Sequence, residues 1–290
     1  MRERPVTSPA VARALLREAG VRPSRSYGQN FLVDGNILAV IAREADLSAD
    51  TTAIEVGAGL GALTELLVDR CRYVYALESD RRLIELLRRR LSEKENLELI
   101  LTDASRFDFE KFKLSGCFRE AAMVSNLPYR IAASIVVDCL IKYPWITAYT
   151  VMVQREVADR MTAKPGSKDY SSATVKIKSR ARVARVAEVS RTCFFPRPLV
   201  DSALVRIDRL SRSLADEAGP GFDGVVRAAF SQRRKKLLSA LRAGLDEDPG
   251  RVKYALASIG KEQARAEELS PEEFAQLAKS LGGGGPRREA

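Results

Sequence analysis

Short apolar runs alternate with helix-like segments along the first half of the chain, and this alternation restricts the possible folds. The predicted strands are Ala53–Val56, Tyr73–Leu77, Leu97–Leu101, a run ending at Val124, and Ala148–Val153. The predicted helices are Ala10–Ala19, Gly35–Ala45, Ala62–Arg70, Arg81–Leu91 and Ile131–Lys142. Strands that alternate with helices form a parallel sheet with helices on both of its faces. Two later strands, Ala181–Val189 and Ser202–Ile207, lack a helix-length connection and are expected to be antiparallel neighbours.

The composition changes after Asp208, and this change predicts a second domain. Residues 211–221 are polar, contain Gly and Pro, and are interpreted as a linker, whereas everything from Phe222 to Leu281 has a helical pattern. We therefore expect an α/β domain over residues 1–210 and a smaller, all-helical domain over 211–281. The glycine-rich end, residues 282–290, is expected to be a disordered tail.

A glycine-rich loop follows the first predicted strand of the alternating region. Gly57, Gly59 and Gly61 let the backbone approach a ligand closely at the start of a helix. With Ala62 in the last place, the loop also fits a dinucleotide fingerprint. Glu55, inside the end of the strand, instead favours a cationic ligand, because a carboxylate repels a pyrophosphate. The preferred ligand is S-adenosylmethionine, and NAD remains the alternative.

Two further acids are predicted to follow the next two strands. Glu78 ends the second strand and is placed to accept hydrogen bonds from ribose hydroxyls, an arrangement that NAD and S-adenosylmethionine proteins share. Asp103, after the third strand, is placed to accept a hydrogen bond from an adenine amino group. Either acid alone could equally be a solvated residue at the end of a strand.

The tetrapeptide Asn126-Leu127-Pro128-Tyr129 follows another buried strand and suits a planar base with an exocyclic amine. The Asn126 side-chain oxygen and the Leu127 carbonyl can each accept a hydrogen bond from such an amine. Pro128 restricts the backbone of Leu127, and Tyr129 offers a ring for stacking. The alternative is an ordinary turn between a strand and a helix.

Composition excludes several kinds of chemistry and favours a polyanionic partner. The 290 residues contain no histidine, which excludes Ser-His-Asp catalysis and histidine bases, and the four cysteines form no CxxC pair that would indicate a metal site. With 48 Lys and Arg against 38 Asp and Glu, the net charge is +10. Without a membrane-length apolar run or a signal sequence, the protein is expected to be cytoplasmic.

Basic residues concentrate in the helical region, and we interpret them as an RNA contact. The consecutive residues Arg233, Arg234, Lys235 and Lys236 span about 300° of arc if they lie on a helix, so they cannot share one face. Phe230 and the leucines after them supply the apolar stripe, which leaves Arg234 and Lys235 outward. A solvated face with no ligand is the alternative.

The order of the motifs resembles that of the ribosomal RNA adenine dimethyltransferases, and within them the small-subunit enzymes. The resemblance covers about residues 7–245. It depends on Gln29-Asn30-Phe31-Leu32, Glu55 with the glycine loop, Glu78-Ser79-Asp80, Asp103-Ala104, Asn126–Tyr129, Gln154–Val157, Phe194–Ser202 and Phe230–Lys235. The chain departs from the usual pattern at Ala58, Arg197 and Leu199, where the family usually has Pro, Pro and Lys. The family fold implies a class I methyltransferase domain with a Rossmann-like, mostly parallel seven-stranded sheet.

The resemblance also implies roles for individual residues. The implied cofactor residues are Gln29, Asn30, Leu32, Glu55, Gly57, Gly59, Glu78, Asp103, Ala104 and Asn126, with Glu78 at the ribose, Asp103 at the adenine and Asn126 beside the sulfonium. Phe194 would stack on a flipped target adenine opposite Tyr129, and Phe195 would be its buried neighbour. Arg233, Arg234, Lys235 and Lys236 would hold RNA.

The implied reaction is transfer of methyl groups from S-adenosylmethionine to N6 of two adjacent adenosines near the 3′ end of small-subunit ribosomal RNA. The implied partner is that RNA or a pre-30S particle, and a monomer is expected. A large-subunit methyltransferase of the macrolide-resistance type is the nearest alternative, although the Phe230–Lys235 segment argues against it. An RNA-binding assembly factor whose turnover is dispensable is the alternative from another class, and an NAD oxidoreductase comes third.

Overall fold

The computed structural model describes residues 5–23, 29–115, 118–232 and 235–282. The chain divides into two compact units, of which the first is Met1–Ala158 with Ala184–Asp208 and the second is Asp159–Val183 with Arg209–Ala290. The strands are β1 (Phe31–Leu32), β2 (Thr52–Val56), β3 (Tyr73–Glu78), β4 (Leu97–Leu101), β5 (Ala121–Asn126), β6 (Ile146–Gln154), β7 (Ala181–Val189), β8 (Phe194–Phe195) and β9 (Ser202–Arg209). The expected disordered tail, apart from Gly282, lies outside the described residues.

Helices fill the connections between the strands and make up most of the second unit. They are α1 (Pro9–Glu18), α2 (Gly35–Glu44), α3 (Ala62–Val68), α4 (Arg81–Arg90), α5 (Glu110–Ser115), α6 (Ala132–Lys142), α7 (Arg155–Thr162), α8 (Ser172–Lys178), α9 (Leu214–Ala218), α10 (Phe222–Phe230), α11 (Leu237–Gly244), α12 (Pro249–Ser258) and α13 (Pro271–Leu281). The sequence pattern missed α5, α7, α8 and α9. None of the described helices is both long and apolar enough to cross a membrane.

The main sheet of the first unit has seven strands in the order β4-β3-β2-β5-β6-β9-β7. The pairs β2–β3, β3–β4, β2–β5 and β5–β6 are parallel, and β9 is antiparallel to β6. The mostly parallel seven-stranded sheet is therefore confirmed, and so is the prediction that β7 and β9 are neighbours. All five residues of β2 are buried, as expected for a central strand covered on both faces.

Strand β5 extends two residues beyond its predicted end at Val124, so Asn126 is its last residue. Asn126 pairs with Met152 of β6, and this pairing holds its backbone in the sheet. The chain leaves the sheet at Leu127, whose N–H still donates to the Met152 carbonyl at 3.0 Å. The start of the tetrapeptide is thus fixed by the sheet and not by a flexible turn.

The second unit includes residues that the sequence pattern assigned to the first. Tyr170 and Val175, on the stretch Asp159–Val183, are fully buried in the same apolar cluster as Phe222 and Phe274. The Tyr170 hydroxyl donates to the Leu269 carbonyl at 2.8 Å. A single boundary near residue 210 is therefore wrong, because this excursion of the chain completes the helical core.

The predicted linker over residues 211–221 is also wrong in part, because it contains helix α9. Ser213 caps this helix by accepting a hydrogen bond from the Asp216 N–H at 3.0 Å. Ala215 and Ala218 are buried in the core of the second unit. The segment is polar in composition, but its two alanines at helical spacing supply the buried contact.

Candidate cofactor and target-base site

A cavity of about 420 Å³ opens in the first unit at the carboxyl ends of the central parallel strands. It is lined by all ten residues that the resemblance assigns to the cofactor, together with Leu127, Pro128 and Tyr129. Ligands in open α/β sheets bind at this edge because the strand ends leave a crevice there. Segments that are far apart in sequence therefore meet in one cavity.

The loop after β2 needs glycine because its backbone adopts left-handed conformations. The φ angles are +84° at Gly57, +58° at Gly59 and +89° at Gly61. A Cβ atom on Gly59 would also lie 3.0 Å from the Phe31 ring. The N–H of Gly57 donates to the Leu77 carbonyl at 2.8 Å, which ties the loop to the neighbouring strand. Glycine here is a requirement of both conformation and space.

The Glu78 carboxylate, at the end of β3, is fixed by three backbone donors. Its Oε2 accepts from the Gly59 N–H at 2.9 Å, and its Oε1 accepts from the N–H groups of Ser79 at 2.8 Å and Asp80 at 2.9 Å. A carboxylate has about four acceptor directions, so capacity remains for a further donor. The carboxylate is therefore already oriented in the cavity wall, and it couples the glycine loop to the end of β3.

Glu55 is the most deeply buried acid of the site, with 1 % of its surface exposed. Its Oε2 accepts a hydrogen bond from the Thr64 hydroxyl at 2.7 Å. Burial raises the pKa of Glu55 to about 8; the Thr64 hydrogen bond opposes this shift, and the charge of Glu78 adds to it. In the free protein near neutral pH, Glu55 is therefore largely protonated. A positively charged ligand group beside it would favour the carboxylate.

Asp103 and Ala104 follow β4 and line the same cavity. Oδ1 of Asp103 accepts from the Ser105 N–H at 2.9 Å and from the Ser105 hydroxyl at 2.7 Å. These hydrogen bonds are the main reason why the pKa of Asp103 is lowered. Both bonds use one oxygen of a carboxylate that stays ionised at neutral pH. The arrangement suits acceptance of a hydrogen bond from an amine.

The tetrapeptide begins with an oriented amide. Nδ2 of Asn126 donates to the Asn30 carbonyl at 3.1 Å, and this bond assigns the side-chain oxygen as the acceptor for a ligand. Leu127 is buried, whereas Tyr129 is half-buried and its hydroxyl lies 3.4 Å from Oγ of Ser202 at the start of β9. The prediction that these residues share a site with the glycine loop is confirmed by their common cavity.

Phe194 is placed differently from the prediction. Strand β8 pairs with β1, so that Phe194 lies opposite Leu32 and Phe195 lies opposite Phe31. Phe194 is only 3 % exposed and packs in the core of the first unit, whereas Phe195 is half-buried beneath the guanidinium of Arg13. One ring does turn inward, but it is Phe194 and not Phe195. The Phe194 ring is therefore unavailable for stacking in this structure.

Several residues of the cavity were not assigned a role from the sequence. Phe31 contacts the glycine loop, Ser105 holds Asp103, and the exposed Arg130 lies at the cavity directly after the tetrapeptide. The spacing of Asp103 and Ser105 is a usable signal, because an Asp that accepts from the residue two positions later forms a common turn. For Phe31 no comparable signal exists, since its role depends on a contact across the fold.

The basic run of the second unit does not form a helix where the structure describes it. Lys235 and Lys236 are exposed and lie between α10 and α11, with Lys236 in an extended conformation. The Lys236 ammonium donates to the side-chain oxygen of Gln263. Arg233 and Arg234 lie outside the described residues. The helical arrangement used to orient the run is thus wrong for the two lysines, although their exposure agrees with a surface contact.

Comparison with known proteins identifies the relatives of the chain. The family described as ribosomal RNA adenine dimethylase matches residues 21–282. Two proteins named ribosomal RNA small subunit methyltransferase A, from Moorella thermoacetica and Geobacillus thermodenitrificans, are each 39% identical over 284 residues. The alignments cover 95% of this chain and 98% and 97% of the relatives.

Solved structures of RNA methyltransferases have a similar fold. A dimethyladenosine transferase from Plasmodium falciparum superposes with a TM-score of 0.72 at 25% identity, covering 85% of this chain and 95% of that one. The 23S rRNA methyltransferase ErmE has a TM-score of 0.67 at 31% identity, covering 87% of this chain and 99% of that one. The fold is therefore that of the RNA methyltransferases with a Rossmann-like domain.

Proposed function

Because this chain belongs to the ribosomal RNA adenine dimethylase family, we propose that it dimethylates N6 of two adjacent adenosines near the 3′ end of small-subunit ribosomal RNA. The protein is an S-adenosylmethionine-dependent methyltransferase, and the proposed product is N6,N6-dimethyladenosine formed during ribosome biogenesis. The observation that carries the proposal is the single cavity that contains both the glycine loop with Glu78 and the Asn126–Tyr129 tetrapeptide. With a ribosomal substrate, the proposed compartment is the cytoplasm.

The acids of the cavity support S-adenosylmethionine over a dinucleotide. Glu55, Glu78 and Asp103 all line it, and such a cluster favours a ligand that carries positive charge over one that carries a pyrophosphate. In the proposed pose Glu78 accepts from the ribose, Asp103 with Ala104 holds the adenine, and Glu55 lies near the methionine part. Gln29, Asn30, Leu32 and the loop glycines complete the walls.

The chemistry of the target amine fits the residues of the tetrapeptide. When bound, S-adenosylmethionine supplies an electrophilic methyl group on its sulfonium. The Asn126 side-chain oxygen and the Leu127 carbonyl accept hydrogen bonds from the target –NH2 and favour a more pyramidal nitrogen. Holding the two reactants in line supplies much of the remaining acceleration. The amine proton leaves after the transfer, when the nitrogen is strongly acidic, so a chain without histidine can carry out the reaction.

The target base must leave its stack before it can enter the cavity. Tyr129 is the proposed stacking partner, because its ring is half-buried at the cavity and its hydroxyl lies beside Ser202. We propose that the helical second unit holds ribosomal RNA through exposed basic residues such as Lys235 and Lys236, with Arg233 and Arg234 as further candidates.

The proposal is tested with Asn126→Ala, tritiated S-adenosylmethionine, and small- and large-subunit particles that lack the modification. We expect methyl transfer to small-subunit adenosines by the wild type and almost none by Asn126→Ala, with nearly unchanged cofactor affinity. Asn36→Ala, on the exposed start of α2, is the matched control. Retention of more than about a tenth of the wild-type kcat, a difference of only ~1.4 kcal/mol, would contradict the role of Asn126. Exclusive labelling of large-subunit RNA would contradict the substrate.

A further inference from the structure

The loop between β8 and β9 presents an apolar tip on the protein surface. Leu199 is 80% exposed and Val200 is 45% exposed, whereas Pro198 immediately before them is buried. A single exposed leucine is common on protein surfaces. This one is unusual because of where the loop lies and how firmly the loop is held.

The loop lies at the edge of the sheet where the cavity opens. Because β9 is antiparallel to β6, its first residue, Ser202, pairs with the last residue of β6, Gln154. Oγ of Ser202 lies 3.4 Å from the hydroxyl of Tyr129, the proposed stacking partner of the target base. Leu199 is three residues earlier, so its Cα atom lies within about 11 Å of the Ser202 Cα atom.

Hydrogen bonds around Asp201 fix the loop from several sides. Oδ1 of Asp201 accepts from the Arg191 N–H at 3.0 Å, and Oδ2 accepts from the Arg155 guanidinium at 2.9 Å. The Asp201 carbonyl accepts from the Arg155 N–H at 3.1 Å. The Arg191 guanidinium donates to the Leu199 carbonyl itself at 3.3 Å. The apolar tip is therefore held outward by its own supports and does not depend on chance side-chain packing.

The charge around the tip identifies the partner. Arg191 and Arg197 are exposed, and both lie on this loop or at its start, so the surface is apolar in the centre and positive at its rim. A lipid or protein partner would equally accept an apolar tip, but positive charge beside a proposed base-flipping site complements the phosphates of an RNA strand. Apolar side chains that enter between bases are a common means of holding a nucleic acid unstacked.

We propose that Leu199 is an apolar wedge that packs against a base flanking the target adenosine and keeps it unstacked, while Arg191 and Arg197 contact the adjacent phosphates. This inference rests on the proposed function and adds a positioning residue to it. Leu199 does not touch the reacting atoms. Its contribution is to offset part of the free energy of extruding the target base.

The experiment compares Leu199→Ala and Leu199→Met with the wild type on unmethylated small-subunit particles. We expect Leu199→Ala to lower kcat/KM for methyl transfer about tenfold, and Leu199→Met to retain most of the wild-type value because the apolar volume is kept. Ile141→Ala, an exposed apolar residue on α6, is the matched control and should be unaffected. Thermal melting and cofactor affinity of all variants should equal those of the wild type.

A second readout distinguishes a wedge from a general RNA contact. Acylation of ribose 2′-hydroxyls should rise at nucleotides next to the target when wild type is bound with S-adenosylhomocysteine, and should not rise when Leu199→Ala is bound at saturation. Equal methylation and equal acylation with Leu199→Ala would overturn the wedge while leaving the proposed function intact. If the wild type methylated no ribosomal RNA, the proposed function and the wedge would both be wrong.

Discussion

Replacing Glu55 with Gln should change how the stability of the protein depends on pH. The pKa of Glu55 is raised from 4.5 to about 8, chiefly because the side chain is buried. Between those two values the folded state keeps a proton that the unfolded state has lost, so the free energy of unfolding falls as the pH rises. At about 1.36 kcal/mol per pKa unit, this single group costs the wild type ~5 kcal/mol by about pH 9. The amide of Gln does not titrate and still accepts from the Thr64 hydroxyl.

The measurement is urea unfolding of wild type and Glu55→Gln at about pH 5, pH 7 and pH 9. We expect similar free energies of unfolding at the lowest pH and an advantage for Glu55→Gln that grows to roughly 4 kcal/mol at the highest. Glu93→Gln neutralises an exposed acid and serves as the control, with little change expected at any pH. Parallel curves for wild type and Glu55→Gln would refute the raised pKa and with it the protonated state of the free site.

Two further predictions concern the ligands. Glu78→Ala should weaken S-adenosylmethionine binding by about 1.5–3 kcal/mol, the range for hydrogen bonds to a charged group; calorimetry that shows tight NAD binding and no S-adenosylmethionine binding would contradict the site. Replacing Lys235 and Lys236 with Glu should weaken RNA binding and flatten its salt dependence by about 0.7 per lost phosphate contact on single strands. Cofactor affinity should stay constant, and an unchanged salt slope would show that both lysines are only solvated.

The sheet and the contents of the cavity were predictable because they depend on local pattern and on one general rule. Strands such as Leu97–Leu101 and Ala181–Val189 have the predicted bounds, since apolar runs between turn residues determine them. The carboxyl ends of parallel strands share one edge, so Glu55, Glu78 and Asn126 converge once the strand order is known. The order of the motifs did the rest, because it matches a family whose site is built from the same segments.

The failures occurred where a distant part of the chain decides the outcome. Alternation along Phe194 and Phe195 indicates that one ring is buried, but only the pairing of β8 with β1 determines which one. The run before Leu237 has the composition of a helix, yet Lys236 is extended and α11 begins after it. Similarly, the polar stretch 211–221 contains α9 because the core of the second unit receives its two alanines.

The interrupted course of the second unit has a consequence for how the protein is made. Tyr170 emerges from the ribosome 99 positions before Leu269, the residue whose carbonyl its hydroxyl binds. At about 5–20 residues per second, the delay is roughly 5–20 s. During that interval Tyr170 and Val175 have none of their later helical partners from α10 to α13 available. The nascent chain therefore carries an unfinished apolar surface through much of its synthesis, and we expect this interval to be the period in which chaperones bind it.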